Sequence, residues 1–305
     1  MSVLFIGVDN GNGNAKGDSG FVMASGVKRL PTKPPIETKT LSWNGQHYAV
    51  GVPKTEIKQS RTDNEDVLVQ TMAVCAEKMK SLGLASAEIR LGVGLPLTRM
   101  GAEKRDFHDY FMRNRKLNFR YEGCNYSIYL ISVDVFPQGY AAVVSRLNTF
   151  AMTTVVADVG SWTVDILPIT EGQPDVSRCK SLSLGTFTAM ADINESLRQK
   201  FGEEADEAII KDIMIHGTSN INREYLEVIQ DGLYAYVDGI MSSLKTLKFN
   251  STLTEFVFIG GGASLIKHFA KDLGANVTVI EDVCINARGY EDILKHKYKE
   301  EKAVS

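Results

Sequence analysis

The stretch Thr153-Thr-Val-Val-Ala-Asp158-Val-Gly-Ser-Trp-Thr-Val-Asp165-Ile-Leu-Pro-Ile169 carries an apolar run into an aspartate. It turns through Gly160 and Ser161 and leaves as a second apolar run. That pattern predicts two strands joined by a tight turn, with a carboxylate closing the first strand. The chain opens on a variant of it: Val3-Leu-Phe-Ile-Gly-Val8 leads into Asp9-Asn-Gly-Asn-Gly-Asn-Ala-Lys16. Glycine turns admit backbone N–H groups close to phosphate oxygens because no Cβ intervenes. An aspartate beside each turn suits Mg²⁺, bound directly or through water. A plain hairpin turn explains either stretch taken alone. The repetition, with a third glycine turn at Gly260-Gly-Gly-Ala263, points to two similar lobes closing on one phosphate-bearing ligand.

Composition bounds the rest. With 305 residues, 44% hydrophobic and 23% charged, the chain can bury two domain cores and carries no signature of disorder or coiled coil. A net charge of −3 excludes a generally basic nucleic-acid binder and leaves only local patches open. Cys75, Cys124, Cys179 and Cys284 are far apart and form no C-x-x-C, so neither disulfides nor a cysteine metal site is expected. His47, His108, His216, His268 and His296 are equally scattered and read as surface or core residues. The opening residues form a strand pattern with no basic flank or cleavage signature, and no run of about twenty apolar residues occurs. The expected location is cytoplasmic, without membrane association.

Along the chain, Lys28 to Thr40 reads as a proline-rich loop or edge segment. Asn44-Gly45 marks the type I′ turn of a hairpin over Thr40–Val50, and Gly51 to Asn64 a surface loop. Helices are predicted over 66–82, 100–114 and 138–147, with strands at 89–96 and within 116–135. In the second half helices are predicted over 188–201, 206–216, 222–247, 263–273 and 286–297. Strands fall at 181–184, 255–259 and 277–280, and a charged tail frays from Tyr298. This is an α/β chain whose three glycine turns all fall at the carboxyl ends of strands, where doubly wound sheets bind ligands.

Five segments, in order, resemble the actin-like ATPase superfold. They are the first phosphate loop Asp9–Lys16, a connecting helix at Pro137-Gln-Gly-Tyr-Ala-Ala142, the second phosphate loop Asp158–Asp165, the adenosine segment Ile259-Gly-Gly-Gly-Ala-Ser264, and a second connecting helix at Asn286-Ala-Arg-Gly-Tyr290. Within the superfold the chain is similar to the ParM/StbA class of plasmid-segregation actins. The Asp-x-Gly-x-x-Asn-x-Lys form of the first loop, the hairpin ending Tyr-x-Val-Gly51 and the pair Leu95-Pro96 carry that likeness. The resemblance implies a two-lobed, duplicated ribonuclease H-like α/β fold with nucleotide in the interdomain cleft. Residues 1–150 with a returning helix at about 286–305 would form the first lobe, and 151–285 the second.

The resemblance also implies roles. Lys16 contacts the β- and γ-phosphates, with Asn10, Gly11, Asn12, Gly13 and Asn14 cradling them. Asp9 and Asp158 hold the Mg²⁺ water shell, and Gln138, at the start of its helix, orients the attacking water. Part of the ParM class carries a glutamate there. A glutamine is no strong base, so slow hydrolysis of ATP or GTP is expected. Gly160, Ser161, Trp162 and Thr163 form the second phosphate turn, and Gly260, Gly261, Gly262 and Ala263 lie against the α-phosphate and adenosine. Glu195 and Lys211 fall where the superfold contacts the nucleoside. Read from residues alone, Lys16 also fits an exposed turn lysine and Gln138 a plain helix start, and Asp165 reads as structural. The implied activity is nucleotide-driven filament assembly for plasmid DNA segregation. The partners would be the chain itself and a small DNA-binding adaptor on a centromere-like repeat, with no direct DNA contact. A non-polymerising nucleotide switch and a small-molecule kinase of the same superfold are the alternatives; no loop here supplies the aspartate base of such a kinase. The charged region from Arg99 through Lys104, Arg105, Arg113, Arg115 and Lys116 to Arg120 fits a solvated face, a filament contact or an adaptor surface.

Overall fold

The opening apolar run forms β1 (Val3–Asn10), whose glycine turn returns as β2 (Asn14–Gly17) in the computed structural model, which describes residues 3–54, 62–249, 252–271 and 273–304. The chain divides into two units, Met1–Ser145 with Cys284–Ser305, and Arg146–Val283.

In the first unit, β3 (Val22–Ala24), β4 (Gly26–Leu30), β5 (Thr40–Trp43) and β6 (Gln46–Val52) precede α1 (Asp66–Ser81). There follow β7 (Ser86–Leu95), α2 (Leu97–Arg113), β8 (Lys116–Tyr121), β9 (Cys124–Pro137) and the short α3 (Tyr140–Val143). The strands form one sheet in the order β3-β2-β1-β7-β9-β8-β5-β6-β4, with β1, β7 and β9 parallel at its centre. Two alternating runs across Asn44-Gly45, both at positive φ, make the β5–β6 hairpin. The core holds Ile6, Val8, Leu91 and Val93 from the central strands against Leu68, Met72 and Met79 of α1.

In the second unit, β10 (Thr153–Val159) and β11 (Val164–Thr170) form the hairpin that opened the sequence analysis, followed by β12 (Gln173–Pro174) and β13 (Lys180–Leu182). Helices α4 (Thr186–Phe201), α5 (Glu207–His216) and α6 (Arg223–Thr246) precede β14 (Thr254–Ile259), α7 (Ala263–Phe269) and β15 (Val277–Val279). The main path of this sheet is β12-β11-β10-β14-β15, with β10, β14 and β15 parallel. The α6 positions Ile229, Leu233, Val237, Ile240 and Leu244 repeat at helical spacing and are all buried in the core of this unit, where α6 packs on α4 and α7.

The last helix, α8 (Ile285–Val304), belongs to the first unit and packs along β1 and β7. It approaches β1 so closely that a Cβ on Gly7 would lie 1.8 Å from the Ala287 carbonyl oxygen. Three side chains tie this end of the chain to its beginning. Lys78 of α1 donates to the Phe5 carbonyl (2.9 Å), the Asp18 carboxylate (2.7 Å) and Glu291 of α8 (2.8 Å).

Several elements differ from expectation for local reasons. Residues 26–30 pair with β6 as an edge strand that ends at Pro31, where the loop begins. Helix α2 starts at Leu97, because Pro96 in extended geometry is its N-cap. The expected helix over 138–147 is reduced to α3 and a following 3₁₀ stretch, Val144–Thr149. Helix α7 ends at Phe269, short of Leu273. The tail from Tyr298 does not fray: Tyr298 lies under the Arg90 guanidinium (3.6 Å) and bonds Ser132 (3.0 Å), and α8 continues through Val304. Much of the expected loop over 51–64, namely residues 55–61, lies outside the described residues.

Burial pushes the Asp18 carboxyl above its ordinary value although Lys78 pulls it down. Burial also pushes Glu291 up, but Lys295 and Lys78 outweigh it and leave the group lowered. Lys78→Met leaves both carboxylates without that cation, and we expect a loss of about 3 kcal/mol at neutral pH. Without Lys78 both carboxyl pKa values rise, so protonation relieves the variant as pH falls towards about 5. Urea denaturation at about pH 7 and about pH 5 checks this; an equal loss at both would contradict it.

Candidate functional site

In the first unit, strand register decides what faces Asp9. The β1–β2 pairing sets Asp9 opposite Lys16, and Lys16 Nζ lies 3.4 Å from Asp9 Oδ2. Asp9 is 3% exposed, and its other oxygen, Oδ1, accepts a hydrogen bond from Gln138 Nε2 at 2.9 Å. Gln138 does not start the helix, as expected, but sits in the turn between β9 and α3. That turn is held at both ends: the Gln138 N–H bonds the Leu95 carbonyl (2.8 Å), and the Gly139 N–H bonds Asn286 Oδ1 on α8 (2.9 Å). The residue types that the sequence singled out thus converge on one buried carboxylate with a cation and an amide on it.

The turn itself, residues 11–14, is partly exposed. Ser25 ties down its carbonyls, the backbone N–H on Gly13 (3.0 Å) and the hydroxyl on Asn12. Asn10 points away: its amide donates to Gln70 (3.2 Å) and Thr71 (3.3 Å) of α1, so its side chain anchors the turn and only its backbone faces the loop. A second cation stands here that sequence reading missed. Lys54 Nζ lies 3.5 Å from Asn12 Oδ1, and nothing in its polar surroundings in the sequence marks it.

The second unit repeats the hairpin with a different charge. Gly160 N–H bonds the Thr163 carbonyl (2.9 Å) to close the turn, and the β10–β11 register sets Asp158 opposite Asp165. Where the first hairpin opposes an aspartate with a lysine, the second opposes two aspartates on one face, and like charges directly opposite weaken a strand pair. Asp165, expected to be structural, stands on the same face as Asp158, and Thr163 Oγ1 bonds its Oδ2 at 3.1 Å.

The first turn of α4 grips the second loop from below. Thr186 N–H reaches the Gly160 carbonyl (3.1 Å), Phe187 N–H the Ser161 carbonyl (2.9 Å) and Gly185 N–H the Trp162 carbonyl (3.2 Å). The Trp162 ring stands edge-on to Phe187 at 5.1 Å, and Lys211 Nζ lies 5.7 Å from the Phe187 ring. Lys211 is also paired with Glu207 one turn earlier on its own helix. Glu195 is exposed and bonded to Arg198 (2.6 Å) and Gln199 (2.9 Å), both on α4.

Parallel pairing of β10 with β14 sets Asp158 beside Ile259 and so brings the glycine segment against the second loop. Gly262 N–H bonds the Val159 carbonyl (2.9 Å). Gly260 has φ 89°, and a Cβ there would stand 2.3 Å from Asp158 Oδ1, so only glycine lets the carboxylate keep its place. Gly261 is exposed, with open space where its Cβ would be. Ala263 is fully buried at the start of α7, leaving only its backbone for a ligand.

Among the described residues no group of three or more His, Cys, Asp or Glu could chelate a metal unaided. Mg²⁺ typically takes one or two carboxylates and completes its shell with water and phosphate oxygens, and within the second unit Asp158 and Asp165, opposite each other on one face, are carboxylates of that kind.

Two family comparisons match in succession. Residues 7–140 match the N-terminal domain of actin-like proteins, and residues 156–272 match the C-terminal domain of the archaeal actin homologue, MreB-like. No curated protein matches the sequence. Among solved structures, Ta0583, an archaeal actin homolog, is 21% identical; the match covers 97% of this chain and 100% of that one, with a TM-score of 0.79. Bacillus thuringiensis ParM with ATP is 14% identical over 97% of this chain and 100% of that one, with a TM-score of 0.75. Alp7A, an actin-like protein, is 14% identical over 99% and 100%, with a TM-score of 0.77. These similarities show a shared fold.

Asp165→Asn removes the like-charge opposition while keeping an acceptor for Thr163. The expected result is a ligand-free protein more stable by about 0.5 kcal/mol, with Mg²⁺-dependent nucleotide affinity lowered about tenfold. Thermal unfolding and titration with and without Mg²⁺ check both; unchanged affinity would remove Asp165 from the site.

Proposed function

The chain belongs to the actin-like protein family, and from that premise we propose that it is a Mg²⁺-dependent ATPase or GTPase whose nucleotide cycle drives assembly of filaments. The observation that carries the reading is the Asp9 carboxylate, held between Lys16 and the Gln138 amide at the mouth of the first glycine turn.

The chemistry follows from these groups. Lys16 offers a fixed positive charge to terminal phosphate oxygens, and the turn offers backbone N–H groups unobstructed by Cβ atoms. Gln138 spends its amide N–H on Asp9, which fixes the plane of the carboxamide and leaves its carbonyl oxygen to accept from a water. A carboxamide orients water but does not deprotonate it, so turnover rests on positioning and is slow. Mg²⁺, when bound, neutralises charge on the phosphate oxygens. In the second unit, Asp158 and Asp165 supply the carboxylates for that ion, and the turns at 160–163 and 260–263 supply close backbone approach. Asn10, Gly11, Asn12, Gly13 and Asn14 act through the backbone. Glu195 and Lys211 remain proposed nucleoside contacts, released from their helix neighbours on binding.

ParM and Alp7A share the fold, which supports filament assembly in DNA segregation as the biological role, with a small DNA-binding adaptor reading the cargo. We place the protein in the cytoplasm; no described helix is long and apolar enough to cross a membrane.

The test is right-angle light scattering of the purified protein with Mg-ATP, with Mg-GTP and without nucleotide, followed by pelleting. A nucleotide-dependent rise with sedimentable polymer is expected. Bound nucleotide without polymer would favour the non-polymerising switch, and phosphoryl transfer to a small acceptor would favour a kinase.

A further inference from the structure

Each unit carries one exposed surface of strongly biased charge, and the two biases are opposite. In the first unit, residues 97–120 hold seven Lys and Arg against three Asp and Glu. Helix α2 buries only Phe107 and Phe111 and leaves its charged positions to solvent. Lys104, Arg105, Arg113, Arg115 and Lys116 are all exposed. Lys104, Arg113 and Lys116 make no ion pair among the described residues, and Arg105 has only Asp109 at 3.9 Å. In the second unit, residues 192–207 hold six Asp and Glu against two Lys and Arg. Glu203, Glu204, Asp206 and Glu207 are exposed around the α4–α5 connection. The Asp206 side chain makes no capping bond at the start of α5, so its charge is not consumed by the helix it precedes.

We propose that these surfaces are the two halves of one contact between copies of this chain, the basic strip of α2 and β8 on one copy meeting the acidic α4–α5 corner of the next. The net biases are equal in size and opposite in sign, so one contact cancels both. A contact between two different patches is heterologous: each added copy presents the same pair again, and repetition extends a chain of subunits. Charge of this kind steers encounter and sets register more than it supplies raw affinity. A nucleic-acid partner fits the basic strip less well. Of the aromatic rings of α2, Phe107 and Phe111 are fully buried and the Tyr110 hydroxyl is turned onto the Asn64 carbonyl (2.7 Å), and the nearby Tyr129 ring already carries the Arg115 guanidinium at 5.1 Å.

The inference rests on the assembly reading above and is tested by sedimentation with Mg²⁺ and the nucleotide that raises scattering. Polymer yield should fall between about 0.05 M and about 0.3 M salt, as screening shortens. Lys104→Glu, Arg105→Glu and Arg113→Glu together make both patches acidic, and Glu203→Lys, Glu204→Lys and Asp206→Lys together make both basic. Each triple variant alone should raise the critical concentration about tenfold or more. An equimolar mixture should recover polymer, because each variant then meets its complement; recovery also shows that both are folded. Wild-type yields from either triple variant, or no recovery in the mixture, overturn the contact while leaving assembly intact. DNA retention that the basic-to-acidic triple variant abolishes without affecting pelleting would reassign the strip to nucleic acid. Failure of the wild type to sediment at any salt would overturn both readings.

Discussion

A single hydrogen bond, from Gln138 to Asp9, spans 129 positions of sequence, and most of the first unit exists to make it geometrically possible. Asp9 sits near the end of β1, and Gln138 directly follows β9, two strands away across β7. Both partners of β7 are parallel, so their carboxyl ends emerge on the same edge of the sheet. The glutamine is then fixed from behind. Tyr290 of α8 is fully buried, stacks on Phe136 at 5.8 Å, and fills the space beside Gly94 and the Gln138 stem. Asn286, one helical turn earlier, holds the Gly139 N–H. Helix α8 is itself held to α1 by Lys78 through Glu291. The Gln138 amide therefore depends on a helix from the far end of the chain, and the buried Lys78 cluster bears on its placement although no member touches it.

The two hairpins show how one backbone plan serves two electrostatic purposes. Each is an antiparallel pair with a glycine turn, and each puts the first aspartate opposite a residue seven positions later. In the first that residue is Lys16, and the charges balance within the protein. In the second it is Asp165, and two like charges stand opposite each other on one face.

The strands beside the glycine turns were legible because apolar runs, turn residues and strand-end aspartates are local signals. The α6 stripe was legible for the same reason. What was not legible depended on register or on distant packing. No spacing rule says whether Asp165 shares a face with Asp158; that needs the turn to close between Gly160 and Thr163. The place of Gln138 in a turn rather than at a helix start is not legible either, because the Gly139 N–H is anchored by Asn286, which arrives 147 residues later. Lys54 carries no pattern at all. The tail beyond Lys297 looked like a charged end, but Tyr298 finds Arg90 and Ser132 on neighbouring strands, and those contacts exist only once the sheet has formed.

The central claim is that Gln138, held by Asp9, positions water for hydrolysis without itself binding the nucleotide strongly. Single-turnover hydrolysis by Gln138→Ala, with nucleotide occupancy measured on the same sample, tests it most directly. The account predicts near-normal occupancy with hydrolysis slowed about a hundredfold. Hydrolysis at the wild-type rate with full occupancy would contradict it, and would place the water-orienting group elsewhere in the protein.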